Sequence, residues 1–277
     1  MKKINYQLIA SDFDGTLLTS DQKIPQNVVD AISQYVNDGG IFAVCTGRML
    51  SSILPRVRSL NLKGLVVAYQ GTVIADIETG NILKKGGMSN DDAVKACEYL
   101  EKVGATASVY ADEVMYTNLS KDDELLKIYE KITGVNAVCI KDMPLSQFTK
   151  QKGFVCQKVS SLVLPEKRDE LYADLKQNLQ GNYDITCSAV ILVEISPSTD
   201  TKGEAVKFLC DYYGVPIEKS IAVGDNLNDK SMIVTAGLGI AVGNASNELK
   251  TFADHVADTN DNGAIAQIIK QFGYEND

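Results

Sequence analysis

Short apolar runs alternate along the chain with longer stretches whose apolar positions recur at helical spacing. Ile4 to Ala10, Ile41 to Cys45, Leu65 to Tyr69 and Ile221 to Val223 have the length of strands, and each ends in a small or polar cluster: Ser11-Asp12, Thr46-Gly47, Gln70-Gly71 and Gly224-Asp225. Nearly continuous apolarity predicts strands buried on both faces, as in a parallel sheet. From Pro25 to Asn37 the residues Val28, Val29, Ile32 and Val36 fall at helical spacing, with Pro25 suited to a first turn and Gly39-Gly40 to the stop. Strand, helix and strand in this order predict an α/β fold built on a doubly wound, mostly parallel, Rossmann-like sheet. Ligands of such sheets bind beyond the carboxyl ends of the strands, where all four polar clusters lie.

Between about Lys84 and Val190 the pattern changes. A helical stretch, Asp91 to Val103, precedes two short strands, Thr106 to Tyr110 and Val114 to Thr117, which read as a hairpin around Ala111-Asp112-Glu113. A helix from Asp122 to Ile132, a long strand near Val155 to Leu164, a helix from Glu166 to Leu179 and strands at Tyr183 to Cys187 and Val190 to Ile195 follow. This predicts an α+β insert, residues 84–190, within one discontinuous core domain made of residues 1–83 and 191–277. A chain of 277 residues exceeds the usual domain of roughly 100 to 200, which fits two units.

Composition narrows the functional classes. Apolar residues make up 45% of the chain, enough for two cores, and the formal charge of -9 argues against a general binder of nucleic acid or anionic membrane. The start, MKKINYQLIASDFDG, is interrupted by Asn5, Gln7 and Asp12, unlike a signal peptide or anchor, and no run of about 18 apolar residues occurs, so a soluble protein is expected. Six scattered cysteines without a CxxC pair predict reduced, mostly buried thiols and a cytoplasmic setting. With His255 the sole histidine, a multi-histidine zinc site is excluded, and its place in ADHVAD near a carboxy-terminal strand predicts a structural role.

Four features carry candidate chemistry. Asp12-Phe13-Asp14-Gly15-Thr16 follows a buried strand, where a glycine turn lets carboxylates at i and i+2 converge on the crevice. Gly224-Asp225-Asn226-Leu227-Asn228-Asp229 follows another, and its oxygen ligands suit magnesium, although Asn228 and Asp229 also suit a helix cap. Thr46-Gly47 offers a hydroxyl and backbone N–H groups for a phosphate cradle. Lys202 opens a helix directly after the insert, placed to neutralise carboxylates and a phosphate. A cysteine-dependent phosphatase is disfavoured, because Ser51 stands where Cys45 would need an arginine, and no GxxxxGK[ST] loop occurs.

In this order, DFDGT, the strand-end threonine, the lysine and GDNLND resemble the haloacid dehalogenase superfamily of phosphohydrolases. The insert resembles its type C2B cap, and the run from GDNLNDKSMIVTAGLGIAVGN through NDNGAI resembles the Cof-like branch. The resemblance implies that Asp12 is the nucleophile and a Mg2+ ligand, and that Asp14 is the acid and then base, its carbonyl touching the metal. Asp225 would complete the metal ligands, Thr46, Gly47 and Asn228 would hold phosphoryl oxygens, Lys202 would offset their charge and Asp229 would support the lysine or the metal's water shell. It further implies hydrolysis of small phosphorylated metabolites such as sugar phosphates. A phosphomutase of the same fold or a non-catalytic metabolite-binding module are the alternatives. The chain departs from the branch at Gln70-Gly71, where Asn-Gly is more usual, and at Val242, where Met commonly precedes Gly-Asn. Arg48 is a further candidate for reaching the substrate.

Overall fold

The computed structural model describes residues 3–275. Before the insert the chain lays down strands β1 (Leu8–Ser11), β2 (Ile41–Cys45), β3 (Leu65–Ala68), β4 (Val73–Asp76) and β5 (Ile82–Lys85), with helices α1 (Gln26–Asn37) and α2 (Leu50–Ser59). The chain then adds β6 (Ser108–Ala111), β7 (Val114–Thr117), β8 (Val138–Cys139), β9 (Lys158–Leu162), β10 (Tyr183–Ala189) and β11 (Leu192–Pro197), with α3 (Asn90–Lys102), α4 (Glu124–Thr133), α5 (Leu145–Lys152) and α6 (Pro165–Asn178). Helix α7 (Lys202–Tyr213), β12 (Ser220–Gly224), α8 (Lys230–Thr235), β13 (Leu238–Ala241) and β14 (His255–Val256) follow.

Two compact units result: one holds the chain up to Gly47, Ile53–Lys84 and everything from Thr201, the other holds Arg48–Ser52 and Lys85–Asp200. In the first, eight strands run in the order β14-β13-β12-β1-β2-β3-β4-β5, parallel from β14 to β3 and antiparallel between β3 and β4. All four residues of β1 are buried, flanked by β12 and β2, which is why Leu8, Ile9 and Ala10 are apolar. The polar Asn5 and Gln7 leave only an isolated bridge, Ile4 to Tyr274, ahead of β1, so the strand is shorter than the apolar run. The chain adds β2 and β3 to one side of β1 but β12, β13 and β14 to the other. Because crossovers between parallel strands are right-handed as a rule, adding strands in both directions puts helices on both faces, and the carboxyl ends of β1 and β12 flank the point where the order reverses.

The second unit is a six-stranded sheet in the order β10-β11-β9-β6-β7-β8. Strand β11 pairs with β9 and β10, so this sheet runs as far as Pro197. Val109, Val159, Val193 and Ile195 join Cys97 and Leu100 of α3, Leu145 of α5 and Leu175 of α6 in one buried core. The alternate residues form a cross-strand row, Thr186, Glu194, Ser160, Ser108 and Thr117, on the opposite face, buried although polar. The hairpin turns on two residues, Asp112 and Glu113, with φ of 49° and 62°, the left-handed pair that matches strand twist even without glycine. Helix α5 and the short β8 were not foreseen in the sequence.

Candidate active site

Asp12 leaves β1 with its N–H donating to the carbonyl of Val223 at 2.9 Å, so the ends of β1 and β12 are tied together. Residues Phe13–Leu17 then turn tightly, with Gly15 at φ +80°. A Cβ on Gly15 would lie 2.6 Å from Asp225 Oδ2, so glycine is needed both for the backbone and for the close approach. Thr16 donates to Asp225 Oδ1 at 2.9 Å and orients that carboxylate. Asn244 Nδ2 donates to the Gly15 carbonyl at 2.8 Å, and its own oxygen accepts from Asn260 N at 3.0 Å, bracing the turn from the far end of the chain.

Lys202 is buried and donates to Asp12 Oδ1 at 2.5 Å and Asp229 Oδ1 at 2.6 Å. Burial works against its charge, but the two carboxylates more than compensate and hold its pKa well above the ordinary lysine range. Asp229, wholly buried, uses Oδ2 to accept from the N–H groups of Asp225 and Asn226 at 2.9 and 3.2 Å. Asn226 caps the following turn, so the capping considered for Asn228 and Asp229 falls on Asn226, with Asp229 as the reciprocal partner. A Cβ on Gly224 would lie 2.4 Å from Asp229 Cβ, which accounts for glycine at that strand end.

Carboxylate oxygens of Asp12, Asp225 and Asp229 lie within 4.8 Å of one another. Burial, opposed by Lys202 and aided by the other carboxylates, raises the Asp12 pKa well above the usual range, while burial and then Asp229 push Asp225 up to about 7. Three such groups with one lysine leave excess negative charge, and hard oxygen donors of this kind fit a divalent cation. Asp14, half-buried two residues after Asp12, is near enough for its charge to raise both Asp12 and Asp225.

Thr46 is buried at the end of β2, its N–H donating to the Val67 carbonyl at 2.9 Å, and Gly47 follows. Helix α2 starts only at Leu50, so the N–H groups beside Thr46 belong to a loop. Asn228 Nδ2 donates to Gln70 Oε1 at 3.3 Å. Arg48, 6% exposed, belongs to the second unit, where its Nη1 donates to the Ile132 carbonyl at 3.3 Å. Cys45 is buried behind Thr46, and burial pushes its thiol up to about 12, so it is no thiolate nucleophile. His255 packs edge-on against Phe272, and all six cysteines are free.

The sequence profile of the haloacid dehalogenase-like hydrolases matches residues 9–269. The chain belongs to this family. It is 30% identical to phosphatase YwpJ of Bacillus subtilis strain 168, covering 95% of this chain and 99% of that protein. It is 28% identical to 5-amino-6-(5-phospho-D-ribitylamino)uracil phosphatase YwtE of the same strain, covering 95% and 96%. Among solved structures, a haloacid dehalogenase-like hydrolase from B. subtilis superposes with a TM-score of 0.83 at 26% identity, over 96% of this chain and 99% of that one. The expected enzyme class, a phosphatase of this family, therefore stands, and so does the α/β fold. Sequence reasoning passed over Gln70 as a partner of Asn228 and Asn244 as a brace. The Gly243-Asn244 pair after Val242 is the available signal for that brace.

Proposed function

We propose that the chain is a magnesium-dependent phosphomonoester hydrolase that works through an aspartyl phosphate on Asp12 and takes small phosphorylated metabolites, such as sugar phosphates. The observation that carries this reading is the Asp12 carboxylate at the tip of β1, held by buried Lys202 at 2.5 Å within the Asp12, Asp225 and Asp229 group. A carboxylate meets a phosphate dianion against like-charge repulsion, so attack requires compensating positive charge. Lys202 supplies part of it, and Mg2+ bound by Asp12, Asp225 and the Asp14 carbonyl would supply Lewis-acid polarisation of the phosphoryl group.

An Asp12 oxygen attacks phosphorus, the ester P–O bond breaks, and Asp14 gives its proton to the departing oxygen. Water then attacks the same phosphorus, Asp14 takes the water's proton, and the bond to Asp12 breaks to free phosphate. Thr46, Gly47 and Asn228 hold the phosphoryl oxygens, and Asp229 fixes Lys202 and the Asp225 loop. The insert is assigned as the cap that selects the substrate. YwtE, named for a phosphorylated polyol derivative, supports a small polar phosphate ester as the substrate. A cytoplasmic setting belongs to the same reading; among the described residues no helix is long and apolar enough to cross a membrane.

Release of phosphate from p-nitrophenyl phosphate in Mg2+ tests the reading. Asp12→Asn should abolish it, as should chelation of the metal, whereas near-normal turnover by Asp12→Asn would overturn the mechanism.

A further inference from the structure

After β3 the chain makes one short turn, Tyr69–Gly71, with an unusual backbone. Tyr69 has φ +50° and Gln70 has φ +60° and ψ 19°, so two consecutive non-glycine residues occupy the left-handed region. Such conformations are strained for residues with a Cβ and persist only where the surroundings hold them. Both residues are buried, and Thr72, which follows Gly71, has a buried hydroxyl without a partner, a further cost of the same turn.

The turn touches three separate elements of the site. Gln70 N–H donates to the Thr46 carbonyl at 3.0 Å. Gln70 Oε1 accepts from Asn228 Nδ2 at 3.3 Å. Gly71, at φ +114°, lies so close to the start of α7 that a Cβ there would be 2.3 Å from the Thr201 carbonyl oxygen and 3.1 Å from Lys202 N. Thr46, Asn228 and Lys202 arrive from distant parts of the chain, and the turn is packed or bonded against all three segments.

We infer that Gln70 is a positioning residue for phosphate recognition, fixing the orientation of the Asn228 carboxamide. This rests on the phosphatase reading above. An asparagine carboxamide has a donor end and an acceptor end, and a flip would turn the acceptor oxygen toward an anion. Gln70 Oε1, as an acceptor, selects the donor end and engages one of the two Nδ2 hydrogens, which leaves the second to a phosphoryl oxygen. A neutral amide does this without adding a like charge beside the phosphate. The left-handed backbone at Gln70 lets its N–H bond to Thr46 while its side chain reaches Asn228, so the strain accompanies a placement.

The test compares Gln70→Met, Gln70→Gly, Asn228→Ala and the two Gln70 changes combined with Asn228→Ala. Turnover of p-nitrophenyl phosphate in Mg2+, inhibition by orthophosphate and thermal midpoints are read for each. Gln70→Met should lower kcat/KM and weaken orthophosphate inhibition, each by roughly tenfold, as for loss of one hydrogen bond that aligns a donor with a charged group. Gln70→Gly suits the left-handed backbone, so it should keep or raise the midpoint while showing the same functional loss, and it serves if Gln70→Met folds poorly. In the Asn228→Ala background neither change should cost more than about twofold, because Gln70 acts through Asn228. Losses that multiply in the double variants, or full activity and inhibition in Gln70→Gly, would overturn the inference while leaving the phosphatase reading intact. Wild-type protein that releases no phosphate, or Asp12→Asn as active as wild type, would overturn that reading and this inference with it.

Discussion

Asp229 ties Lys202 to the Asp225 loop: its Oδ1 lies 2.6 Å from Lys202 Nζ, while its Oδ2 accepts the backbone N–H groups of Asp225 and Asn226. One buried carboxylate therefore sets both the cation beside Asp12 and the strand-end turn that presents Asp225. Asp229→Ala removes both ties. The Mg2+ concentration for half-maximal phosphate release should rise by about 10 to 100-fold, the usual effect of losing a residue that orients a metal ligand. Asp229→Asn, which keeps an acceptor but not the charge, should fall between. A metal titration that does not move in either variant would reduce Asp229 to a helix cap.

Much of this site can be read from the sequence because the strands that carry it have few alternatives. Segments as apolar as Leu8 to Ala10 or Ile221 to Val223 must be buried on both faces, and the polar residues after them then fall at strand ends. Asp12, Thr46 and Asp225 follow from that rule alone, and Lys202 follows from its place just after the insert. Gln70 falls at a strand end by the same rule, but its backbone and its bond to Asn228 do not follow from it, since left-handed backbone is signalled by glycine or asparagine. The Asn244 contact with Gly15 spans 229 positions and has no local pattern. Helix α5, Leu145–Lys152, escapes because LSQFTKQK is too polar and too short to show an apolar stripe. Ala111 reads as part of the hairpin turn but belongs to β6, because Asp112-Glu113 lacks the glycine that would mark a two-residue turn.

Cys45 sits one residue before Thr46, where a cysteine-dependent phosphatase would be suspected. Burial pushes its thiol up to about 12, so at pH 8 only about one molecule in ten thousand carries a thiolate there. Native enzyme treated with iodoacetamide at pH 8 should keep its Cys45 unmodified, as read by peptide mass spectrometry. Cys45→Ala should hold kcat within about threefold of wild type, since the thiol takes no part in bond making. Loss of activity that tracks alkylation of Cys45 would contradict this assignment.

In the second unit, Lys158 and Glu194 form an ion pair at 1% and 0% side-chain exposure on the polar face of the sheet, with the ammonium 4.6 Å from the Tyr110 ring centre. Burial opposes the lysine's charge, but Glu194 and Tyr110 keep its pKa raised. A closed pair of this kind adds little net stability over an apolar pair, because both ions are stripped of water. Breaking one half is a different matter, as it takes from the buried Glu194 carboxylate the ammonium bonded to it. Lys158→Met alone should therefore destabilise this unit by about 3 to 5 kcal/mol, while Lys158→Met combined with Glu194→Leu should recover most of that loss. Urea unfolding followed by circular dichroism reads both variants. Equal destabilisation by the single and double changes would mean that the polar row as a whole, rather than the charge balance of this pair, holds the face together.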